Sequence, residues 1–550
     1  MSLHPNPVAP VPEETVRVAR AAFPHGNVYL QLRDVLGPIY DDASFAPLFA
    51  VRGRPAETPW RLALITVLQF AEGLSDRQAA EAVRARIDWK YALGLELGDP
   101  GFDFSVLSEF RARLIAGVRE QHLLDAMLTA CKSGGYLKTR GRQRTDSTHV
   151  LGALRVLNRL ERVAESVRAA LNAVAAAAPA WLQEHADPAW GERYSRRIED
   201  YRLPKGKEAR TAYARQVGDD GLRFLALLAE PATPASLREL PAVMLMQRVW
   251  LQQYVVLDGQ VGLREPQDMP PAATAVESPY EPEARFSTKR EQHWTGYKVH
   301  LTESCDDDYP HLLTHVATTP ATTADVEHLA AIQQGLAAAD RLPAEQLVDA
   351  GYVRGRNLVE SRERYQIDLM GPIYEDHQWQ AKAGTGFDLG HFQVDWAAQR
   401  VACPEGRHSV RWARTQTARG PMVKVIFAVA DCTPCPVRSR CTRAAHQPRS
   451  LLLQPQAEHE AIQAARRRQR TDAFTAVYRR RAGVEGTLSQ AVRAFGVRRT
   501  RYRGLAKTHV QEVAIAAAIN IQRLRDWLNE VPLARSRRSA LAVALSPGSG

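Results

Sequence analysis

Between positions 466 and 507 the chain carries thirteen Lys/Arg and two acids, Asp472 and Glu485, a net charge of +11. The whole 550-residue chain is formally +11 as well, so everything outside this run sums to zero. Thirteen cations on an isolated surface segment would repel one another strongly, and a protein that concentrates its net charge in this way calls for a polyanion to neutralise it. Within 478–503, YRRRAGVEGTLSQAVRAFGVRRTRYR, the spacing of Tyr478, Arg481 and Glu485 at i, i+3 and i+7 predicts one helical face, with Leu488 and Val492 beside it. Gly483 and Gly486 flank the acid. Each costs a helix interior about 1 kcal/mol relative to Ala, a cost tolerated where backbone must approach something closely. Taken alone, Glu485 also reads as a solvated salt-bridge partner, so its role turns on finding other carboxylates.

The length predicts two to four domains, and 45% hydrophobic residues are enough to bury real cores. Clustered positive charge without a strongly apolar amphipathic face favours nucleic acid over a membrane surface as partner. The first residues, MSLHPNPVAPVPEETV, have neither a basic nor an apolar signal region, and no stretch reaches the roughly 18 apolar residues of a membrane span. A cytoplasmic protein is therefore expected. Six cysteines in so long a chain do not make a disulfide framework.

Along the chain, 59–117 has helical pattern: PWRLALITVLQFAEG closes at Gly73, Ser75 caps SDRQAAEAVRARIDWKYALG, and a third helix starts near Phe104 or Ser105. The tight GLS turn suits a helix-turn-helix module, with a plain helical bundle as the alternative. RQRTDSTHVLGALR places Asp146 on a short extended segment, and 151–275 then reads as an all-helical insertion. HWTGYKVHLTES and HLLTHVATTPATT alternate as strands, a helix ADVEHLAAIQQGLAAA follows, and AEQLVDAGYV gives a strand ending at Asp349 before the helix GRNLVESRERY and the strand QIDLMGPI. That order predicts an α/β fold, a mixed sheet covered by helices, with Asp349 at the carboxyl end of a strand. Residues 374–455 break the pattern and hold Cys403, Cys432, Cys435 and Cys441. The Cys432-x2-Cys435 spacing and the Cys-Pro-x-Gly turn at Cys403 suit structural Zn²⁺, with packed reduced thiols or an iron–sulfur cluster as alternatives. Cys131 and Cys305 are expected to be ordinary buried residues, and THVQEVAIAAAINIQRLRDWL is an amphipathic helix expected to pack on the sheet.

Asp146, Asp349 and Glu485 are thus three acids spread over one predicted α/β core. Three carboxylates suit two Mg²⁺ (or Mn²⁺) ions about 3.5 to 4 Å apart, one activating the attacking oxygen and one stabilising the leaving oxygen of an in-line phosphoryl transfer.

The blocks TDSTHV, GYKVHLTES, VDAGYV and YRRRAGVEGTLSQAVRAFGVRRTRYRGLAKTHVQ resemble, in that order, those of insertion-sequence transposases of the DDE superfamily, and the resemblance extends to PWRLALITVLQFAEGLSDRQAAEAV. It implies an RNase-H-like catalytic domain in which Asp146 matches the first catalytic Asp, Asp349 the second and Glu485 the final Glu. Related transposases show Y-x2-R-x3-E-x6-K around the last acid. Tyr478, Arg481 and Glu485 fit, but Val492 stands at the Lys position, leaving Arg493 or Arg498 to supply the cation. By the resemblance Tyr478 and Arg481 contact the DNA backbone near the scissile phosphate, with Arg493, Arg498, Arg499, Arg501 and Arg503 along the run; Lys298 reads either as a further groove residue or as an ordinary surface lysine.

The implied organisation is an N-terminal helical, DNA-binding domain at 1–135; a first part of the RNase-H-like core at 136–372 with the helical insertion at 151–275; a Cys-rich insertion at 373–455; a second part of the core at 456–530 bearing Glu485; and a disordered tail at 531–550. The implied function is metal-dependent DNA cleavage and strand transfer. Implied partners are double-stranded transposon ends and target, a homo-oligomer assembled on DNA and no membrane, in a bacterial cytoplasm and nucleoid-associated when DNA-bound. A catalytically inactive DNA-binding derivative and a hydrolytic nuclease are the alternatives.

Overall fold

The computed structural model describes residues 1–289, 291–374, 378–418 and 420–532. All but the first two residues of the tail expected at 531–550 lie outside the described residues.

The fold is mixed α/β, organised around the strand β1 (Arg142–Leu151). Its alternation of Thr and Val with buried polar residues suits a strand that is paired on both edges. A hairpin, β2 (Tyr254–Leu257) and β3 (Gln260–Leu263), lies outside the main sheet, which is completed by β4 (Arg285–Lys289), β5 (Gln292–Ser304), β6 (Leu313–Pro320), β7 (Glu345–Val348) and β8 (Asp368–Met370). Both β4 and β6 pair with β5, so the order reads β6-β5-β1-β7-β8, with β4 extending the β6 side. The β6-β5-β1 half is antiparallel and the β1-β7-β8 half parallel. Parallel pairs need crossovers, and the helices Asp325–Ala338 and Gly355–Tyr365 supply them, one on each side of β7.

The apolar core crosses regions far apart in sequence. The helix Leu505–Leu528, buried through most of its length, packs against β6 and against the helices Pro59–Ala71, Ser105–Ala116 and His122–Ser133. One continuous cluster therefore joins Tyr29 and Leu68 from the first helices, Val299 and Val316 from the sheet, and Ile515 and Leu524 from the last helix. Residues 160–276 enclose a separate core of their own. No helix among the described residues is long and apolar enough to cross a membrane.

Several local expectations are met: the helix Pro59–Ala71 stops before Gly73, at φ +69°, and Ser75 with Gln78 forms a reciprocal capping box on Asp76–Ala85. Cys131 and Cys305 are buried.

Others are corrected. The helix read through 75–94 breaks at Arg86, which is extended (φ −100°, ψ 122°), so that its guanidinium pairs with Glu72 and Asp88 and Trp89 is fully buried with Nε1 donating to Glu72 at 3.2 Å. The insertion is not all-helical, because its last predicted helix ends at Gln253 and Tyr254–Leu257 forms β2. The reason is local. Two β-branched valines precede Asp258-Gly259, both at positive φ (49° and 75°), the conformation of a two-residue hairpin turn. The stretch SPYEPEARFSTK, turn-rich in sequence, ends in the strand β4.

Candidate active site

In the parallel register between β1 and β7, Thr145 stands opposite Val348, so the next residue on each strand, Asp146 and Asp349, emerges beside the other. The Asp349 carboxylate accepts from the Gly351 amide at 2.8 Å and so caps a short 3₁₀ turn, Ala350–Tyr352. Behind it the Tyr352 hydroxyl and His300 Nδ1 are 2.7 Å apart. Burial keeps that hydroxyl protonated and that imidazole neutral. The Asp146 carboxylate accepts from the Ser147 amide at 2.7 Å. Burial, opposed by Arg481 and by that amide but reinforced by Asp349, raises its pKa to about 6.

Alternation along β1 places Arg144, Asp146 and Thr148 on one face, and each meets the arginine-rich segment. Arg144 donates to the Arg480 carbonyl at 2.5 Å, Asp146 pairs with Arg481 at 2.5 Å, and Thr148 accepts from Arg498 at 2.9 Å. Beyond Leu151 the segment joins the sheet, with a bridge between Leu151 and Arg499.

The single helix expected around Glu485 is corrected. It is interrupted: Asp472–Tyr478 leads into a 3₁₀ turn, Arg479–Ala482, and then into Gly483–Ala494. The Arg144 guanidinium lies under this turn, so close to Gly483 that a Cβ there would come within 1.9 Å of Nη1. Gly483 is thus a residue of close approach, whereas Gly486 faces open space. The turn keeps Arg481 aimed at the sheet. Its guanidinium bridges Asp146 Oδ2 at 2.5 Å and Glu485 Oε1 at 3.2 Å, joining a 10% exposed carboxylate to one that is 69% exposed. Tyr478 stacks on Phe474 with ring centroids 5.3 Å apart and donates to the Val348 carbonyl at 3.2 Å, one residue before Asp349.

Beneath the turn lies a buried ion cluster that sequence reading missed. Glu303, wholly buried on β5, pairs with Arg144 at 2.5 Å and with Arg523 at 2.6 Å, and accepts from Thr487 at 2.6 Å. Burial pushes the Glu303 carboxyl up, but Arg523 and Arg144 outweigh it and hold the group below the usual glutamate range. The cluster ties the Glu485 helix to β1, β5 and the helix Leu505–Leu528. Its one sequence signal was a charged residue at a core position of the alternating strand HLTES.

The remaining candidates are dispersed. Arg493, Arg499 and Arg503 are exposed, Arg503 close enough to Glu281 to lower that carboxyl's pKa against the effect of its burial. Arg501 donates to the Leu74 carbonyl at 2.6 Å and lies over the Phe70 ring, tying the run to the first helices. Lys298 stands opposite His149 in register and so faces away from Asp146, where it pairs with Asp325 at 2.8 Å. Asp325, which also accepts from Ser147 at 3.2 Å, was not singled out in the sequence. Cys403, Cys432, Cys435 and Cys441 line one cavity.

As the side chains stand, no group of three or more His, Cys, Asp or Glu among the described residues is placed to hold a metal ion. The carboxylates are nonetheless hard oxygen donors of the class that suits Mg²⁺ or Mn²⁺. A positive charge already stands between Asp146 and Glu485, the Arg481 guanidinium, so the donor set fits a cation there.

Two family models match the chain: one described as a transposase DDE domain, over residues 402–525, and one described as a transposase domain (DUF772), over residues 17–113. The first span contains Glu485 and the four cysteines that line one cavity, and the second contains Pro59–Ala71 and most of Ser105–Ala116, which share the core with Leu505–Leu528. No curated protein and no solved structure matches the chain.

Proposed function

The two family matches indicate an insertion-sequence DDE transposase, and on that premise we propose that this chain binds the ends of its element and cleaves and joins DNA at Asp146, Asp349 and Glu485. The observation that carries the proposal is the register of β1 and β7, which makes Asp146 and Asp349 neighbours, with Arg481 linking Asp146 to Glu485 across 339 residues of sequence. The sheet order β6-β5-β1-β7-β8, antiparallel then parallel, supports an RNase-H-like core.

DDE domains typically use divalent metal ions. Here Asp146, Asp349 and Glu485 would hold them, and the ions would activate the attacking oxygen and stabilise charge on the leaving oxygen. The chain's own groups position the phosphodiester. Arg481 offers a planar guanidinium that can move from carboxylate to phosphate, and Tyr478, fixed on the Val348 carbonyl, bounds the space beside Asp349. Arg493, Arg499 and Arg503 extend a positive surface along the bound duplex. The helices of 17–113 are the proposed element-end reader, and assembly of two or more copies on DNA would bring two ends together.

The test is nicking of DNA carrying the element's ends in Mg²⁺ or Mn²⁺, with Asp146→Asn, Asp349→Asn and Glu485→Gln. Each variant should lose cleavage and keep end binding, since metal ligands contribute little to backbone affinity. Cleavage surviving in any of the three would sink the assignment. A strand-transfer assay then separates a transposase from a hydrolytic nuclease, and the absence of any cleavage by the unaltered chain would favour an inactive DNA-binding derivative.

A further inference from the structure

We propose that Cys403, Cys432, Cys435 and Cys441 bind one structural Zn²⁺ ion that holds together the β-rich segment lying between Asp349 and Glu485. The four residues come from three separate pieces of chain. Cys403 follows the strand Arg400–Ala402 and heads a turn in which Gly406, at φ +75°, donates back to the Cys403 carbonyl at 2.9 Å and the Cys403 amide donates to Arg407 at 2.8 Å. Cys432 ends the short helix Val429–Cys432, Cys435 lies in the following turn, and Cys441 ends Arg438–Cys441.

All four line one cavity of about 40 Å³, whose walls also include the apolar Phe387, Phe427 and Val437 and the charged Glu405, Arg407, Asp431, Arg438 and Arg449. One water needs about 10–15 Å³ of such space, so the cavity has room for an ion and not for an organic ligand. The sulfurs share this cavity without being drawn into a ligand cage, and none is in a disulfide.

The backbone of the knuckle is already fixed. The Arg438 guanidinium donates to the carbonyls of Cys432 at 2.9 Å, Ala444 at 2.8 Å, Ala445 at 3.1 Å and Gln447 at 3.1 Å, pinning the loop that carries Cys432 and Cys435 beside the start of the strand Ser450–Leu453.

The segment also needs a staple. Its own core consists of eight buried hydrophobic side chains, with Cys403, Cys432 and Cys441 packed along the edge. Thiols at a core edge, none of them in a disulfide, add little cohesion of their own. A dication replaces their protons, which pass to solvent, with four metal–sulfur bonds. Four thiolates fill a tetrahedral shell and leave no position for water, so the ion is structural and takes no part at the carboxylates.

The full chain, purified without chelator and without a polyhistidine tag, should contain about one zinc per molecule by elemental analysis. Cys432→Ser and Cys435→Ser should each lower that content about tenfold or more, while Asp146→Asn leaves it unchanged, which separates failure of this site from failure of the carboxylate site. Should the serine variants not fold, the unaltered protein still decides the question. Stripped with a chelator under reducing conditions and given Co²⁺, it should develop the intense visible absorption of tetrahedral cobalt–thiolate. It should also protect four of its six cysteines from alkylation by about tenfold or more, Cys131 and Cys305 being buried elsewhere. Four thiols that alkylate freely with or without metal would overturn the proposal, as would iron in place of zinc.

Discussion

Arg481 joins two of the three acids, Asp146 and Glu485. Its two terminal nitrogens reach carboxylates of opposite exposure, and a lysine, with a single point of charge on a flexible stem, cannot span them. Arg481→Lys should therefore lower end cleavage by about tenfold or more, while end binding, carried by many cations, drops by no more than about a few-fold. Comparable losses in both would place Arg481 among the general binding cations instead. Asp146 makes a second prediction. With its pKa raised to about 6, its charged form is disfavoured in the metal-free fold. Its contribution to stability is fullest below the ordinary aspartate range, about 4, and is lost as pH rises through about 6. A divalent cation reverses that loss, so the rise in melting temperature on adding Mn²⁺ should be small at pH about 5, grow through about 6, and vanish in Asp146→Asn. A cation effect independent of pH would count against Asp146 as a ligand.

The strand β5 and the last helix each carry a buried carboxyl, and the two should behave in opposite ways. Glu303, held low by Arg144 and Arg523, stabilises the junction between β1, β5 and both helices above the ordinary glutamate range, and that stability is lost as pH falls through its depressed pKa. Glu303→Gln leaves two guanidinium groups without their counter-charge and should cost about 3–5 kcal/mol in urea unfolding. Glu512, on the helix Leu505–Leu528, is completely buried with neither oxygen hydrogen-bonded among the described residues, and burial raises its pKa far above the usual range. Its penalty grows as pH rises, so Glu512→Leu should stabilise the protein at neutral pH by about 1–3 kcal/mol. A destabilised Glu512→Leu would mean that the carboxyl has a function. At this scale the sequence was legible where the signal is local: the capping box at Ser75 and the strand-helix order from 292 to 370 were read directly. The hairpin turn at Asp258-Gly259 was equally local and was overlooked inside a long apolar run. The 3₁₀ break at Arg479–Ala482 had no local signal, because its cause is Arg144, which donates to Arg480 from 336 residues away.

Across the whole molecule the net charge divides into cations with different tasks. Arg499 and Arg503 are exposed, whereas Arg501 is anchored on Leu74 and Phe70. Arg499→Ala and Arg503→Ala should each flatten the log–log salt dependence of end binding by about 0.9 without changing the melting temperature. Arg501→Ala should lower the melting temperature as well. Unchanged slopes in the first two would show that the run is only a solvated face. Which cations are free was not legible from a list of arginines, since partners lie on other elements, while the three acids stood out as candidates because their blocks occur in order along the chain. The shared core sets a schedule as well as a shape. The helices up to Ser133 emerge from the ribosome before the helix from Leu505 that completes their packing has been made. At about 5–20 residues per second the wait is roughly 20–70 s. Until the message has been read almost to its end, this chain has the parts of its proposed DNA reader but not the core that holds them in place.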